Sequence, residues 1–299
     1  MGIGGWLTWT AAVRIIKDRH ESRDEPFTLL DGNRMAAQHE IFETMPFLNQ
    51  TSPKVFSNGT HEGVWMGQPD CNYCFEDNPS YALHRTDRHI INVILQGLGH
   101  DDATDEELYC NLYLTDEEKQ WPHTALGLLA TMADDIQGIV CIEPNSKTNY
   151  THNRVYPLVN WQKVVDALSE ENILCIQVGQ GPAILENVID YTSKTTFRQA
   201  VALIEASDAF LASESGLVHA VSHKGHSFVP ISSYNTPELV CYPQNHNFII
   251  GKHAPCGEKQ YCVACNKEMF NHDPKEISDA VIRHIKAIDR EEDSNQSGA

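Results

Sequence analysis

The chain has no apolar run long enough to cross a membrane, and it lacks the features of a secretory signal. Its mildly apolar start, MGIGGWLTWTAAVRIIKDRH, carries basic residues after the apolar stretch, whereas a signal peptide carries them before it. Trp6 stands where an N-myristoylation motif requires Ser or Thr. We therefore expect a cytoplasmic protein without a membrane span, in which the triplets NQT, NGT and NYT are not glycosylated.

Basic residues are also scarce. The 299 residues include 22 Lys and Arg against 41 Asp and Glu, which gives a net charge of −19. This charge disfavours nucleic acid and anionic lipid as partners without excluding a local basic pocket. The chain has no glycine-rich dinucleotide motif between a strand and a helix, because no strand precedes GIGG and Leu7 occupies the third glycine position. We expect neither a nicotinamide nor a flavin cofactor.

The second half of the chain alternates between strand-like and helix-like segments. Continuous apolar runs mark strands in GIVCIEPNS, ILCIQVGQG, DAFLASES and SFVPIS. Helical spacing of apolar residues marks YPLVNWQKVVDALSEEN, TTFRQAVALIEAS and the shorter GLVHAVSHKG. This alternation predicts an α/β fold with a doubly wound parallel sheet in a C-terminal domain that spans residues 135–272.

The first half, residues 1–125, is less regular. It predicts helices at Trp9–His20, AAQHEIFETMPFL and HRTDRHIINVILQGLG, a strand at FTLLDG, and a domain boundary near Trp121–Asp134. Beyond the C-terminal domain, Asp273 and Pro274 open a well-marked helix over 273–290. This helix is a candidate to pack back on the N-terminal domain, and the polar tail 291–299 is expected to be disordered.

The stretch ASESGLVHAVSHKG (Ala212–Gly225) passes from a strand through a Ser-Gly turn into a short helix. Such a junction places free backbone N–H groups and the positive end of a helix dipole at the C-terminal edge of the sheet. Open α/β folds hold phosphates at this edge. The alternative is a turn whose polar residues only cap the helix. These residues alone leave both interpretations open.

Four segments together resemble the lipopolysaccharide heptosyltransferases of glycosyltransferase family 9. They are GIGGWLTWTAAVRIIK, ELYCNLYLTDEEKQ, IEPNSKTNYTHNRVYPLVNWQKVVDAL and TTFRQAVALIEASDAFLASESGLVHAVSHKG. The resemblance implies two facing Rossmann-like domains (GT-B type), with a nucleoside-diphosphate sugar bound to the C-terminal one and the acceptor facing the N-terminal one. It further implies inverting transfer of a heptose-like or other hexose or pentose sugar, without a catalytic metal. The acceptor would be a glycan, a protein or another hydroxyl-bearing molecule.

The resemblance also implies a donor site. Ser215 and Gly216 match the family's phosphate-contacting turn, and Arg154 matches a basic residue that would bind the leaving diphosphate through its planar guanidinium. For His219 and Lys147, a histidine bonded to neighbouring backbone and a solvated loop lysine are the respective alternatives. The complete predicted donor site is Asn145, Ser146, Lys147, Arg154, Gly179, Gln180, Glu214, Ser215, Gly216, Leu217 and His219, in which Glu214 replaces the family's usual Asp.

The acceptor-side loop, predicted to contain Gly4, Gly5 and Thr8, departs from the family. The family's Asp, its usual candidate for the base that deprotonates the acceptor, aligns with Gly5. We expect either that the leading strand of this domain is missing or that the true start lies upstream of Met1. Asp31, His61 and Asp70 are the remaining candidates for the base. Two alternatives to an ordinary transferase therefore stay open. One is a metal-stabilised, catalytically inactive nucleotide-binding protein, and the other is a glycosyltransferase acting on nucleic-acid bases.

Cysteines form a second group of candidates. Cys256, Cys262 and Cys265 lie in the polar segment CGEKQYCVAC, whose C-x2-C pair is typical of tetrahedral thiolate ligation. Cys241 completes four sulfurs, with His246 and His253 as alternatives. The chain also resembles the heptosyltransferases that modify autotransporter proteins, which have a four-cysteine iron site. The pattern is compatible with a structural Zn or Fe site and with a set of free thiols.

Overall fold

The elements of the C-terminal half follow the apolar runs and caps of the sequence. The computed structural model describes residues 2–20, 26–31, 33, 35–48, 63–71, 74–75, 83–84, 88–130, 135–145, 151–251, 256–257 and 260–297. Its helices are α1 Ile3–Arg19, α2 Ile90–Gly97, α3 Asp116–Ala130, α4 Leu158–Glu170, α5 Phe197–Glu205, α6 Gly216–Val221, α7 Pro237–Val240, α8 Val263–Asn271 and α9 Lys275–Ser297. Its strands are β1 Thr28–Leu30, β2 Gly63–Trp65, β3 Cys74–Phe75, β4 Leu83–His84, β5 Gly138–Glu143, β6 Ile173–Gln177, β7 Val188–Asp190, β8 Ala209–Ala212, β9 Ser227–Ile231 and β10 His246–Ile249.

Strands β5 to β10 form one six-stranded sheet in the order β10-β9-β8-β5-β6-β7, and every pairing in it is parallel. Alternate residues of a strand point to opposite faces. In β5, Val140 and Ile142 join one apolar cluster, whereas Cys141 joins the other. Both faces of the sheet are therefore covered, which confirms the predicted α/β class and the doubly wound parallel sheet.

Different helices cover the two faces. On one face, α4 and α9 pack against each other and share an apolar cluster with β5, β6, β8 and β9. On the other face, α5 and α6 pack on the sheet together with α1. Helix α5 begins with a capping box, in which the Thr196 hydroxyl accepts from the Gln199 N–H and the Gln199 side chain accepts from the Thr196 N–H. Local sequence and burial thus agree in this half of the chain.

The N-terminal half is built differently from the prediction. Its strands β1 and β2 form a two-stranded parallel sheet. Helix α1 packs on both α2 and α6, within the same apolar cluster as the large sheet. The prediction of a helix in AAQHEIFETMPFL is wrong, because only a 3-10 turn, Glu40–Phe42, forms there. The long helix predicted around residue 90 is shorter and begins at Ile90, where the His89 side chain accepts from the Ile91 N–H. Helix α3 occupies much of the predicted boundary region.

Helix α9 packs on the C-terminal sheet domain. Its buried residues Ile277, Val281 and Ile285 belong to the same cluster as α4, so the expected packing against the N-terminal domain is corrected. The helix also continues to Ser297, which makes residues 291–297 helical where the polar composition predicts disorder. None of the helices within the described residues is both long enough and apolar enough to span a bilayer.

Candidate functional site

The strand order creates a topological switch point between β5 and β8. From β5 the chain continues to β6 and β7 on one side of the sheet, whereas from β8 it continues to β9 and β10 on the other side. In open parallel sheets the crevice at the carboxyl ends of such a strand pair is the usual place for a ligand. Glu143 ends β5, and Ser213, Glu214 and Ser215 follow β8. We call the residues gathered here the switch-point site.

Ser215 joins the ends of the two central strands. Its hydroxyl donates a 2.5 Å hydrogen bond to Glu143 Oε2 and accepts from the Val218 N–H at 3.4 Å. Ser215 is therefore the N-cap of α6, as expected if the polar residues of the turn cap the helix. Because the same hydroxyl also faces the end of β5, its role as a cap is compatible with a place in the predicted donor site. Leu217 contributes only backbone here, since its side chain is buried in the apolar core.

Arg154 lies beside the same turn. Its Nη1 is 3.7 Å from Glu214 Oε1, and the two side chains are 17% and 15% exposed, so the guanidinium does not extend into solvent. Both Glu214 oxygens also accept from Asn235 Nδ2, at 3.2 and 3.1 Å. The Tyr156 N–H donates to Ser213 Oγ at 3.2 Å, which fastens the segment after Arg154 to the end of β8. The structure thus brings the predicted cation and the predicted acid together as a pair.

Glu143 is a member of the site that the sequence prediction missed. Burial raises the pKa of its carboxyl to about 7, although the Ser215 hydrogen bond and the positive charge of Arg154 both act in the opposite direction. A carboxyl with such a pKa changes its charge near neutral pH. An acidic residue directly after an apolar run, followed by Pro144, was a signal that could have identified it as a strand-end group.

Gly179 and Asn145 shape the neighbouring strand ends. Gly179 has a φ of +89°, and a Cβ added to it would lie 2.9 Å from Glu143 Cγ, so a larger residue would collide with this carboxyl group. Asn145 donates through Nδ2 to the carbonyl of Ala183 at 2.7 Å and thereby holds the loop between β6 and β7. Gln180 is exposed. The predicted residues Ser146 and Lys147 lie outside the described residues.

The His219 side chain is held by a hydrogen bond with Tyr242. Its Nδ1 forms a 2.5 Å hydrogen bond with the Tyr242 hydroxyl, which is itself 3.2 Å from the Cys110 sulfur. Burial, assisted by the charge of Arg154, lowers the pKa of His219 to about 4, so the imidazole is neutral at pH 7. The other edge of the ring faces α1, because a Cβ added to Gly4 would lie 2.6 Å from His219 Cδ2.

The acceptor-side residues require a correction. Gly4, Gly5 and Thr8 lie in the first turns of α1, not in a loop. Thr8 is buried, and its hydroxyl donates to the Gly5 carbonyl at 2.8 Å. The N-terminus of α1 sits directly over the turn after β8, since a Cβ added to Gly216 would be 3.6 Å from the Gly4 nitrogen. Two helix N-termini therefore meet at this point, and that of α1 has neither a side-chain cap nor an acidic residue in its first turn.

Of the three candidates for a catalytic base, Asp31 has another role in the structure. Asp31 Oδ1 accepts from the backbone N–H groups of Asn33 and Met35, at 2.8 and 3.0 Å, and so stabilises its own turn. Asp70 is exposed in the 3-10 turn Pro69–Cys71, next to the end of α2. His61 lies outside the described residues.

Three of the four predicted metal-ligand cysteines come together. The sulfurs of Cys256, Cys262 and Cys265 lie within 4.8 Å of one another, and those of Cys256 and Cys265 are 3.3 Å apart. Thiolates around a tetrahedral ion, with bonds of about 2.3 Å, are separated by roughly 3.8 Å, so the cluster fits such an ion with one further position to fill. Cys241 does not belong to this group, and burial raises the pKa of its thiol to about 12. His246 stacks on Phe228, and His253 lies outside the described residues.

The cysteine loop is tied to the switch-point site. Asn153, the residue before Arg154, accepts from the Cys262 N–H at 2.7 Å and donates to the Gln260 carbonyl at 2.6 Å. The Cys256 N–H donates to the carbonyl of Ser233, two residues before the amide that binds Glu214. A surface cavity of about 680 Å³ lies elsewhere, between β10, α8 and α9.

The fold and the site together define a doubly wound α/β protein with polar groups at its switch point, which is a very broad class. We therefore compared the chain with known proteins. No family model matches the chain, and no curated protein matches it. Among solved structures, the dodecameric iron-containing heptosyltransferase TibC in complex with ADP-D-beta-D-heptose is similar over 77% of this chain and 61% of its own, with a TM-score of 0.50 and 12% identity. TibC is from enterotoxigenic E. coli.

Two further structures have lower TM-scores. E. coli ADP-heptose lps heptosyltransferase II matches over 68% of this chain and 63% of its own, with a TM-score of 0.49 and 14% identity. A family 9 glycosyltransferase from Veillonella parvula matches over 57% and 51%, with a TM-score of 0.44 and 18% identity. The chain thus spans less than two thirds of the length of these proteins. The resemblance to family 9 heptosyltransferases is confirmed as a likeness of fold.

Proposed function

We propose that this protein is a glycosyltransferase that takes a sugar from a nucleoside-diphosphate donor bound at the switch-point site. The observation that carries the proposal is the convergence of Arg154 and two helix N-termini at the carboxyl ends of β5 and β8. Backbone N–H groups at helix starts favour phosphate, and a guanidinium stabilises the charge that develops on a leaving diphosphate. The ADP-heptose bound to TibC supports a nucleotide sugar as the donor class.

Each residue has a role in this proposal. The N–H groups of Gly216 and Leu217 and the Ser215 hydroxyl hold the diphosphate, and Arg154 neutralises it as the bond to the sugar breaks. Gly179 leaves room for the nucleotide at the end of β6. A heptose-like or other hexose or pentose sugar, an inverting outcome and a glycan, protein or other hydroxyl-bearing acceptor remain parts of the proposal that rest on the family resemblance.

The cysteine cluster has a structural role in the proposal. Cys256, Cys262 and Cys265 would hold a Zn or Fe ion, with Cys241 proposed as the fourth ligand after a local rearrangement. When bound, the ion would cross-link the loop. Through Asn153 the loop would then hold the backbone beside Arg154 in place.

A second candidate function is nucleotide binding without transfer. It is favoured by two features: Glu214 already pairs with Arg154, and α1 presents Gly5, not a carboxylate, near the turn. Isothermal titration with ADP, UDP and their sugar conjugates tests binding, and release of nucleoside diphosphate in the presence of candidate acceptors tests transfer. Binding with no turnover on any acceptor would favour this second function.

The variant Arg154→Ala tests the site assignment. We expect its Kd for ADP to rise by about 10- to 150-fold, because a hydrogen bond to a charged group contributes about 1.5 to 3 kcal/mol. Arg283→Ala is the matched control, since Arg283 is exposed on α9. If both variants bind ADP as the parent protein does, Arg154 is not a diphosphate ligand.

A further inference from the structure

The carboxyl group of Glu143 lies inside the proposed diphosphate site. Its Oε2 is 2.5 Å from Ser215 Oγ, and its Cγ and Oε1 lie 2.9 and 3.0 Å from the position of a Cβ added to Gly179. An anion bound at the turn would therefore be a close neighbour of this group. An ionised carboxylate accepts hydrogen bonds only and repels a phosphate, whereas a neutral carboxyl also donates one.

The two acids of the site differ in their partners. Glu214 is paired with Arg154 and accepts from Asn235, so its negative charge is compensated within the protein. Glu143 receives a hydrogen bond from a neutral hydroxyl, that of Ser215. Of the two, Glu143 is the acid whose negative charge most directly opposes a phosphate.

The other described groups around this turn keep their charge near neutral pH. Arg154, from the loop before α4, carries a guanidinium, which stays protonated in proteins. His219 on α6 has its pKa lowered to about 4 and is neutral above pH 5. The first turn of α1 contributes backbone at Gly4, and β6 contributes Gly179. The pKa of Glu143 itself is raised by burial to about 7, so among these described groups it is the one that titrates between pH 6 and 8.

We propose that Glu143 takes up one proton from solvent when a diphosphate binds, so that its neutral carboxyl faces the phosphate oxygens. In that form it donates to Ser215 Oγ or to a phosphate oxygen, and the Ser215 hydroxyl is free to donate to the diphosphate. The inference rests on the proposed function, because it assumes that the diphosphate occupies the turn at Ser215 and Gly216. It adds Glu143 as a donor-site residue that acts in its protonated state.

ADP is the probe, titrated by calorimetry into the full chain from pH 6.5 to 9. If protonation of Glu143 accompanies binding, the Kd rises by about 20- to 30-fold from pH 6.5 to pH 8.5, since the group has a pKa of about 7 before binding. At pH 8, where ADP is fully ionised, the binding enthalpies in Tris and in HEPES should differ by nearly the full difference between the ionisation enthalpies of the two buffers, which corresponds to the uptake of nearly one proton. This proton count needs no variant, so it remains decisive even where a variant fails to fold.

Glu143→Gln is the informative variant, because an amide is neutral at every pH and can still donate. We expect its Kd to be nearly independent of pH above 7.5, with no proton uptake. Glu205→Gln is the matched control: burial also raises the pKa of Glu205, which pairs with His223 at the end of α5, away from the switch point. Its pH profile should be that of the parent protein.

The outcomes separate the inference from the proposed function. If ADP binds but no proton is taken up at pH 8, or if Glu143→Gln retains the pH dependence of the parent protein, the inference is overturned and the proposed function stands. If the parent protein binds neither ADP nor UDP at any pH between 6.5 and 9, both are overturned.

Discussion

Arg198 is expected to be the strongest single link between the N-terminal half and the sheet domain. It is 6% exposed at the start of α5, and its Nε and Nη2 reach both carboxylate oxygens of Glu118 on α3, at 2.5 and 2.6 Å. The same guanidinium donates to the carbonyls of Glu40 and Tyr113, at 3.0 and 2.8 Å. It also donates to Thr44 Oγ1 at 3.0 Å, so removal of this side chain breaks a bidentate ion pair and three further hydrogen bonds at once.

We predict that Arg198→Ala lowers the free energy of unfolding by about 3 kcal/mol. Loss of one partner from a fully buried ion pair costs about 3 to 5 kcal/mol. We take the lower end of that range because the Glu118 side chain is 25% exposed and can regain water. Hydrogen bonding to Arg198 lowers the pKa of Glu118, so the stabilisation is present above the ordinary pKa of a glutamate and is lost as the pH falls.

The assay is urea unfolding followed by far-UV circular dichroism, at pH 7 and at pH 4. The control is Lys275→Ala, because Lys275 and Asp279 form an exposed pair on α9, and such pairs contribute about 0 to 1 kcal/mol. The difference between Arg198→Ala and the parent protein should shrink at the lower pH. A loss below about 1 kcal/mol at pH 7, or a loss equal to that of the control, would refute the reasoning.

Two other predictions concern the site. Gly4→Ala should destabilise the protein by about 1 to 3 kcal/mol in the same assay, because the new methyl group would collide with the His219 ring, which is hydrogen-bonded to Tyr242. The control is Gly2→Ala, which should be nearly neutral because a Cβ added to Gly2 has nothing within 4 Å. Equal effects of the two variants would contradict the packing of α1 on α6. Purified protein should contain Zn or Fe, measured by mass spectrometry. The Cys265→Ser variant should lose the metal, whereas the control Cys175→Ser, on β6, should retain it. Retention of the metal by both variants would rule out the cysteine cluster as the metal site.

The C-terminal sheet could be predicted because its signals are local. Strands buried on both faces are continuous apolar runs, as in β8, where all four residues are buried. The helices carry their own start signals, such as the capping box at Thr196 and Gln199. The four central strands and the helices between them were therefore specified by their local sequence, and their alternation predicted the parallel sheet. The edge strands β7 and β10 were not predicted.

The N-terminal half could not be predicted in the same way. Gly4 and Gly5 argue against a helix at this position, because glycine loses more backbone entropy than other residues when it is fixed. The helix forms there because its N-terminus packs on α6, where a side chain at Gly4 would collide with His219. This contact joins residues more than 200 positions apart, and no local pattern reports it.

Glu143 was missed for a related reason. The sequence places it at the end of a strand, but its importance depends on β8 lying next to β5, and strand order is a property of the assembled sheet. Once β5 and β8 are neighbours, the carboxyl group meets Ser215 and becomes buried, and burial raises its pKa. Arg154 was easier to find because the family motif marked its position.

The net charge of the whole chain also favours a protonated Glu143 when an anion is bound. A protein with a net charge of −19 repels a diphosphate at long range, so affinity has to arise from short-range groups at the site. Among the described charged side chains there, the charge of Arg154 is already balanced by Glu214. Among these described side chains, an ionised Glu143 would then leave a net negative charge beside the turn, which the backbone N–H groups of the turn and the Ser215 hydroxyl would oppose. Neutralising this one acid removes the imbalance without any rearrangement of the Arg154–Glu214 pair, and for that reason proton uptake is the simplest way for this chain to bind an anion at its switch point.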